Sequence, residues 1–128
     1  MQLEIVSPQV PARPGPDFLY VLQEQLTLRA IAAGGQRFLD VGCGMGRVLA
    51  HAESATSRAH GVDTDAERVQ ASRRACPNAE VRLADAGYLP FASRSMDAVT
   101  LFSTLCVVGD PVKAIGEISR VLRPGGRA

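Results

Sequence analysis

Between Arg37 and Phe102 short apolar runs alternate with amphipathic stretches, and that rhythm leaves few folds open to the chain. Arg37 to Val41 reads as a short buried strand that opens through a glycine-rich turn into a helix from about Met45 to Ala55. Ala59 to Val62 reads as a second strand, Asp65 to Cys76 as a helix stopped by Pro77, and Glu80 to Leu83 as a third strand. A polar loop from Ala84 to Ser95 precedes a fourth strand, Met96 to Phe102, whose run Ala98-Val99-Thr100-Leu101-Phe102 suits burial on both faces. Asp110 then caps a helix with Pro111 at its first position and Val112, Ile115, Ile118, Val121 and Leu122 as its apolar stripe; Pro124-Gly125-Gly126 breaks it. Strands separated by helices of this length pair in parallel through right-handed crossovers, which makes a three-layer α/β fold.

The flanks and composition narrow the class further. At 128 residues the chain fits one domain with one core. Pro8, Pro11, Pro14 and Pro16 remove backbone donors and fix φ, so residues 1–16 read as an extended arm and 17–128 as the domain. From Asp17, an N-cap, Phe18, Leu19, Val21, Leu22, Leu26 and Ile31 recur near helical spacing until Gly34-Gly35 ends the run. A formal net charge of +1 provides no field to gather nucleic acid or anionic membrane, so a small-molecule partner is expected. Arg68, Arg73 and Arg74 read as a solvated helix face. Cys43, Cys76 and Cys106 are odd in number and show no ligand spacing, which fits a reducing cytoplasm, and no metal site is expected. No secretory signal or membrane-length apolar run is evident, so a cytoplasmic protein away from membranes is expected.

In open parallel sheets, ligands bind at the carboxyl ends of strands, where Gly42, Gly44 and Gly46 fall. A dinucleotide fingerprint would place its third glycine at position 47, which is Arg47, and Asp40 at the strand end disfavours a pyrophosphate. A cationic ligand would be attracted there instead.

The segment Leu39-Asp40-Val41-Gly42-Cys43-Gly44-Met45-Gly46 resembles motif I of class I S-adenosylmethionine-dependent methyltransferases. Gly61-Val62-Asp63 resembles the end of that family's second strand, where an acid accepts from both ribose hydroxyls. Ala84-Asp85-Ala86 with Leu89-Pro90-Phe91 resembles its adenine-binding turn. Ser95 to Val99 and Ile118 to Gly126 resemble its fourth strand and the turn into the fifth. The resemblance implies a Rossmann-like fold, S-adenosylmethionine as cofactor, S-adenosylhomocysteine as product, and Asp40, Gly42, Cys43, Gly44, Gly46, Asp63, Thr64, Asp85, Ala86 and Phe102 as its binding residues.

Several of these have structural alternatives: acids at strand ends also cap helices, as Asp65 is expected to do, Cys43 fits as a small loop filler, and Phe102 equally suits the core. Ser103, Thr104 and Leu105 fall where the family lines the space beside the methyl group, and Phe18 and Tyr20 resemble a lid or pack on the sheet. His51 and His60 lie away from the carboxyl edge and read as structural. No catalytic residue is assigned, because the cofactor supplies the chemistry. The family's seven-stranded order, 3-2-1-4-5-7-6, implies that this chain carries about four strands, ordered 3-2-1-4, and is a fragment or truncated product. An open fourth strand would invite pairing in a homodimer. The expected activity is methyl transfer to a small-molecule acceptor. The alternatives are a non-catalytic cofactor-binding or interaction module and a dinucleotide oxidoreductase.

Overall fold

The computed structural model describes residues 18–32, 36–56, 58–102 and 104–128. The N-terminal arm, the Asp17 cap, Gly34-Gly35, Ser103 and the side chains of Phe18 and Tyr20 lie outside the described residues. The elements run α1 (Phe18–Ala32), β1 (Arg37–Val41), α2 (Arg47–Ala55), β2 (Arg58–Asp63), α3 (Ala66–Ala75), β3 (Glu80–Leu83), β4 (Met96–Thr100), α4 (Pro111–Val121) and β5 (Leu122–Arg127). The strands form one parallel sheet in the order β3-β2-β1-β4-β5.

Alternation along β1 and β4 divides the core, because successive strand side chains point to opposite faces. Phe38 and Ala98 face a layer of Ile31, Val48, Leu49, Ala52, Val69 and Cys76 from α1, α2 and the α3 region. Leu39, Val41 and Val99 face the other way, onto Ala114, Ile118 and Val121 of α4 and onto Ala86 and Leu89 of the loop after β3. Among the described residues the second face is therefore covered by one helix and one irregular loop. The caps follow the residue chemistry: Asp65 accepts from the Glu67 and Arg68 N–H groups, and Asp110 from that of Lys113, with Pro111 behind it. Arg73, read from sequence as solvated, instead donates through Nε and Nη2 to the Val81 carbonyl at 3.0 and 2.8 Å, tying α3 to β3.

The expected order 3-2-1-4 is present and a fifth strand extends it; the correction concerns the edge of β4, which was expected to be open and which β5 covers. Leu122, read as the end of the helical stripe, is extended and buried, and opens β5. Pro124-Gly125-Gly126, read from sequence as the break in the helix, lies inside β5, after the helix has already ended at Val121. The pairing moves from Met96 with Leu122 to Ala98 with Arg127, so the glycines form a bulge with Gly125 at φ 80°. β4 ends at Thr100, two residues early, because Thr100 is the last residue paired with β1.

At the opposite end of the sheet, Asp97 joins three strands. Its Oδ2 accepts from the N–H groups of Gln36 and Arg37 at 2.8 and 2.7 Å, and its Oδ1 from Arg123 Nε at 2.6 Å. Replacing it strips partners from a β1 donor and from an arginine at once. Asp97→Ala is expected to destabilise the fold by about 2 kcal/mol in urea unfolding, with Asp97→Asn costing less. Unchanged stability in the alanine variant would remove this role.

Candidate functional site

β1 and β2 end side by side, and the glycine turn leaves β1 over the end of β2. The Gly42 and Cys43 N–H groups both donate to the Val62 carbonyl, at 2.8 and 2.9 Å, and Gly46 N–H donates to the Cys43 carbonyl at 3.0 Å. Gly44 N–H donates to Asp63 Oδ2 at 2.9 Å, while Asp63 Oδ1 accepts from Asp65 N–H at 3.0 Å. The turn thus spends these four N–H groups on the protein itself. Gly42, Gly44 and Gly46 all have positive φ, at 74°, 55° and 90°. Space also matters at two of them: a Cβ on Gly42 would lie 2.1 Å from Thr104 Oγ1, and one on Gly46 2.7 Å from Ser72 Oγ.

Asp40 lies beneath the turn, 3% exposed, opposite Thr100, whose Oγ1 donates to its Oδ1 at 2.7 Å. Burial pushes its carboxyl up to about 7; the Thr100 hydrogen bond opposes the shift and the nearby Asp63 carboxylate adds to it. Cys43 points away, its Sγ 3.9 Å from Ser72 Oγ, and burial raises its thiol to about 12, which removes it as a nucleophile.

Beside the turn is a cavity of about 340 Å³ whose walls come from the ends of β1 and β2, the loops that follow β1, β2, β3 and β4, and Arg68 of α3. Gly42, Asp63, Thr64, Asp85, Ala86 and Phe102 of the sequence-derived set line it; Asp40, Cys43, Gly44 and Gly46 do not. Sequence reasoning missed Arg68 and the Val107-Val108-Gly109 wall. The signal for that wall was present, since the segment directly precedes the Asp110 cap and so forms a strand-to-helix loop at the ligand edge. Arg68 reads as part of a solvated face, and its side chain is 61% exposed even as it borders the cavity. Thr104 also lines the cavity, and its hydroxyl donates to the Val41 and Phe102 carbonyls, each at 3.1 Å.

His60 stands apart, buried in β2, its ring 5.4 Å from that of Phe91 in an edge contact. Burial lowers its pKa, against the pull of Glu80. A larger cavity of about 750 Å³ opens among Arg94, Arg120, Arg123 and Arg127, along β5 and the loop that leads into β4 and away from the glycine turn. Glu117 and Asp97 hold two of those arginines. Among the described residues no cluster of His, Cys, Asp and Glu could hold a metal, and no helix is long and apolar enough to cross a membrane.

A parallel 3-2-1-4-5 sheet with a glycine turn and an acid at adjacent strand ends defines a Rossmann-like α/β protein of the methyltransferase type. Residues 39–128 match the Methyltransferase domain family, and the chain belongs to that family. It is 35% identical over 113 residues to Methyltransferase GfsG of Streptomyces halstedii, covering 83% of this chain and 41% of that protein. It is 36% identical over 96 residues to the demethylmenaquinone methyltransferase of Renibacterium salmoninarum, covering 75% and 40%. The YcgJ protein of Bacillus subtilis superposes with a TM-score of 0.74 at 25% identity, over 83% of this chain and 48% of that one. The chain spans less than half the length of each.

The buried acid has a pH signature. Asp40 titrates near 7 in the fold, above its ordinary 3.8, so the native state holds the proton more tightly than the unfolded chain does. The associated stability is fully present below about pH 4 and is lost as pH rises through about 7. Asp40→Asn is therefore expected to gain stability relative to the parent between pH 4 and pH 8, by on the order of a few kcal/mol, in urea midpoints measured across that range. A stability difference independent of pH would contradict the buried titration.

Proposed function

We propose that the cavity beside the glycine turn holds S-adenosylmethionine and that the protein transfers its methyl group to a small-molecule acceptor. The observation that carries this reading is the inward use of the turn's N–H groups. Gly42, Cys43, Gly44 and Gly46 donate to Val62, Asp63 and Cys43, so these donors do not present themselves to a pyrophosphate as a dinucleotide site requires. The walls carry two carboxylates, Asp63 and Asp85, against one cation, Arg68, which suits a cofactor with a sulfonium and an ammonium. The volume also lies in the range of small-molecule sites.

In this reading Asp63, at the end of β2, takes the ribose hydroxyls on lone pairs left over from the Gly44 and Asp65 N–H groups. Thr64 borders the same end, Asp85 and Ala86 take the purine, and Gly42 lets the ligand approach the backbone, with Cys43, Gly44 and Gly46 shaping the turn and Phe102 closing the far side. Asp40 adds negative potential beneath the amino-acid end as it loses its proton. When bound, the cofactor supplies a methyl carbon already activated by its sulfonium. The chain's residues bind it, orient it and keep water from it; no side chain is assigned as a base. The demethylmenaquinone methyltransferase relative supports a small-molecule acceptor.

Calorimetry with S-adenosylhomocysteine and with NAD tests the reading. The first is expected to bind and the second not, and Asp63→Ala is expected to weaken binding about tenfold or more, because it removes the acceptor and loosens the turn together. NAD binding, or an Asp63→Ala variant that binds S-adenosylhomocysteine as well as the parent does, would overturn it.

A further inference from the structure

The cavity wall formed by Ala84, Asp85 and Ala86 belongs to a long loop between β3 and β4 with no helix or strand of its own, so its position has to be set from outside. Local turns supply part of the constraint: Asp85 Oδ1 accepts from Gly87 N–H at 2.7 Å, and Tyr88 N–H donates to the Asp85 carbonyl at 3.0 Å. The rest comes from α4. Leu89 N–H donates to Glu117 Oε2 at 2.7 Å, Arg120 Nη2 donates to the Leu89 carbonyl at 3.0 Å, and Arg120 Nη1 donates to the Phe91 carbonyl at 2.8 Å.

The two side chains also hold each other, Arg120 Nε on Glu117 Oε1 at 2.6 Å and Nη2 on Oε2 at 2.8 Å. With the guanidinium donating to it, the Glu117 carboxyl lies below its usual range. One turn earlier, Lys113 Nζ sits 3.2 Å from the centre of the Tyr88 ring. Leu89, between these contacts, is buried in the core cluster that packs on α4. The same helix begins at Asp110, directly after the Val107-Val108-Gly109 wall, so one rigid element carries two sides of the cavity. Asp85 meanwhile uses Oδ1 within its own turn; its Oδ2 has no hydrogen-bond partner among the described residues.

We propose that Glu117 and Arg120 are positioning residues for the base of the bound nucleoside: by clamping Leu89 and Phe91 they set where Asp85 and Ala86 stand, and so make the cavity select a purine bearing an exocyclic amine. The free Asp85 oxygen is an acceptor and fits an amine donor; a base with a carbonyl at that place would set two acceptors against each other. This rests on the cofactor reading above. It adds a source of selectivity in α4, in residues that do not line the cavity.

The test compares S-adenosylhomocysteine with S-inosylhomocysteine, its deaminated analogue, by calorimetry on the whole chain. The parent is expected to prefer the adenosine compound by about tenfold or more. In Glu117→Ala the preference is expected to collapse towards one, while Glu117→Gln, which keeps an acceptor for Leu89 N–H, recovers most of it. If circular dichroism shows that Glu117→Ala does not fold, Arg120→Lys carries the same expectation, since it loses the paired bonds to the Leu89 and Phe91 carbonyls. A clamp that serves stability alone would lower the melting temperature or weaken both ligands equally and leave the ratio intact; that result overturns the proposal. A parent that binds both ligands equally also overturns it while sparing the cofactor reading. A parent that binds neither overturns both.

Discussion

The glycine turn keeps its shape because β2 offers it two acceptors in a row, the Val62 carbonyl and the Asp63 carboxylate. Backbone with positive φ at three nearby positions is costly in conformational entropy, and a turn of this kind persists only when its polar groups are satisfied. Val62 takes two N–H groups and Asp63 a third. Asp63 also receives the N–H of Asp65, and Asp65 caps α3. One strand end thereby fixes the turn, the start of the next helix and the floor of the cavity. The packing agrees: Gly61, paired with Asp40, has no side chain, and Cys43 and Leu49 occupy the room a Cβ would need.

Much of the architecture was readable because strand burial and helix capping are local signals. Arg37 to Val41, the Asp65 and Asp110 caps and the Gly42-x-Gly44-x-Gly46 turn each announce themselves within a few residues. The errors lay where local chemistry and tertiary pairing conflict. Leu122 continues the apolar stripe of α4 by spacing, but its burial against β4 is what decides its conformation. Pro-Gly-Gly reads as a stop, and nothing local says that the chain rejoins the ladder after a bulge. Arg73 looks like a solvated helix charge until its carbonyl partner, eight positions away in sequence, comes into view. In the candidate site the acids were legible and their division of labour was not: Asp63 and Asp85 reach the cavity, whereas Asp40 is covered and holds its proton into the neutral range.

The two faces of the sheet are stabilised differently. The face under α1, α2 and α3 is closed by packed apolar side chains. The face under α4 is completed by a loop without regular structure, which α4 holds with a carboxylate and a guanidinium aimed at main-chain groups. Charged groups bonded to backbone in partly shielded surroundings are stronger than neutral pairs, and they impose a fixed direction that apolar contact does not. The loop that needs direction most is the one bordering the cavity.

The contact between Thr104 and the end of β1 carries a consequence for how the molecule comes into being. The hydroxyl of Thr104 reaches the Val41 carbonyl across 63 positions of sequence, and that of Thr100 reaches Asp40 across 60. A chain emerging from the ribosome therefore presents its glycine turn long before the residues that enclose it exist. Such long-range closure makes this corner late to assemble. The nascent chain carries the glycine turn early and the residues that enclose it only about 60 positions later.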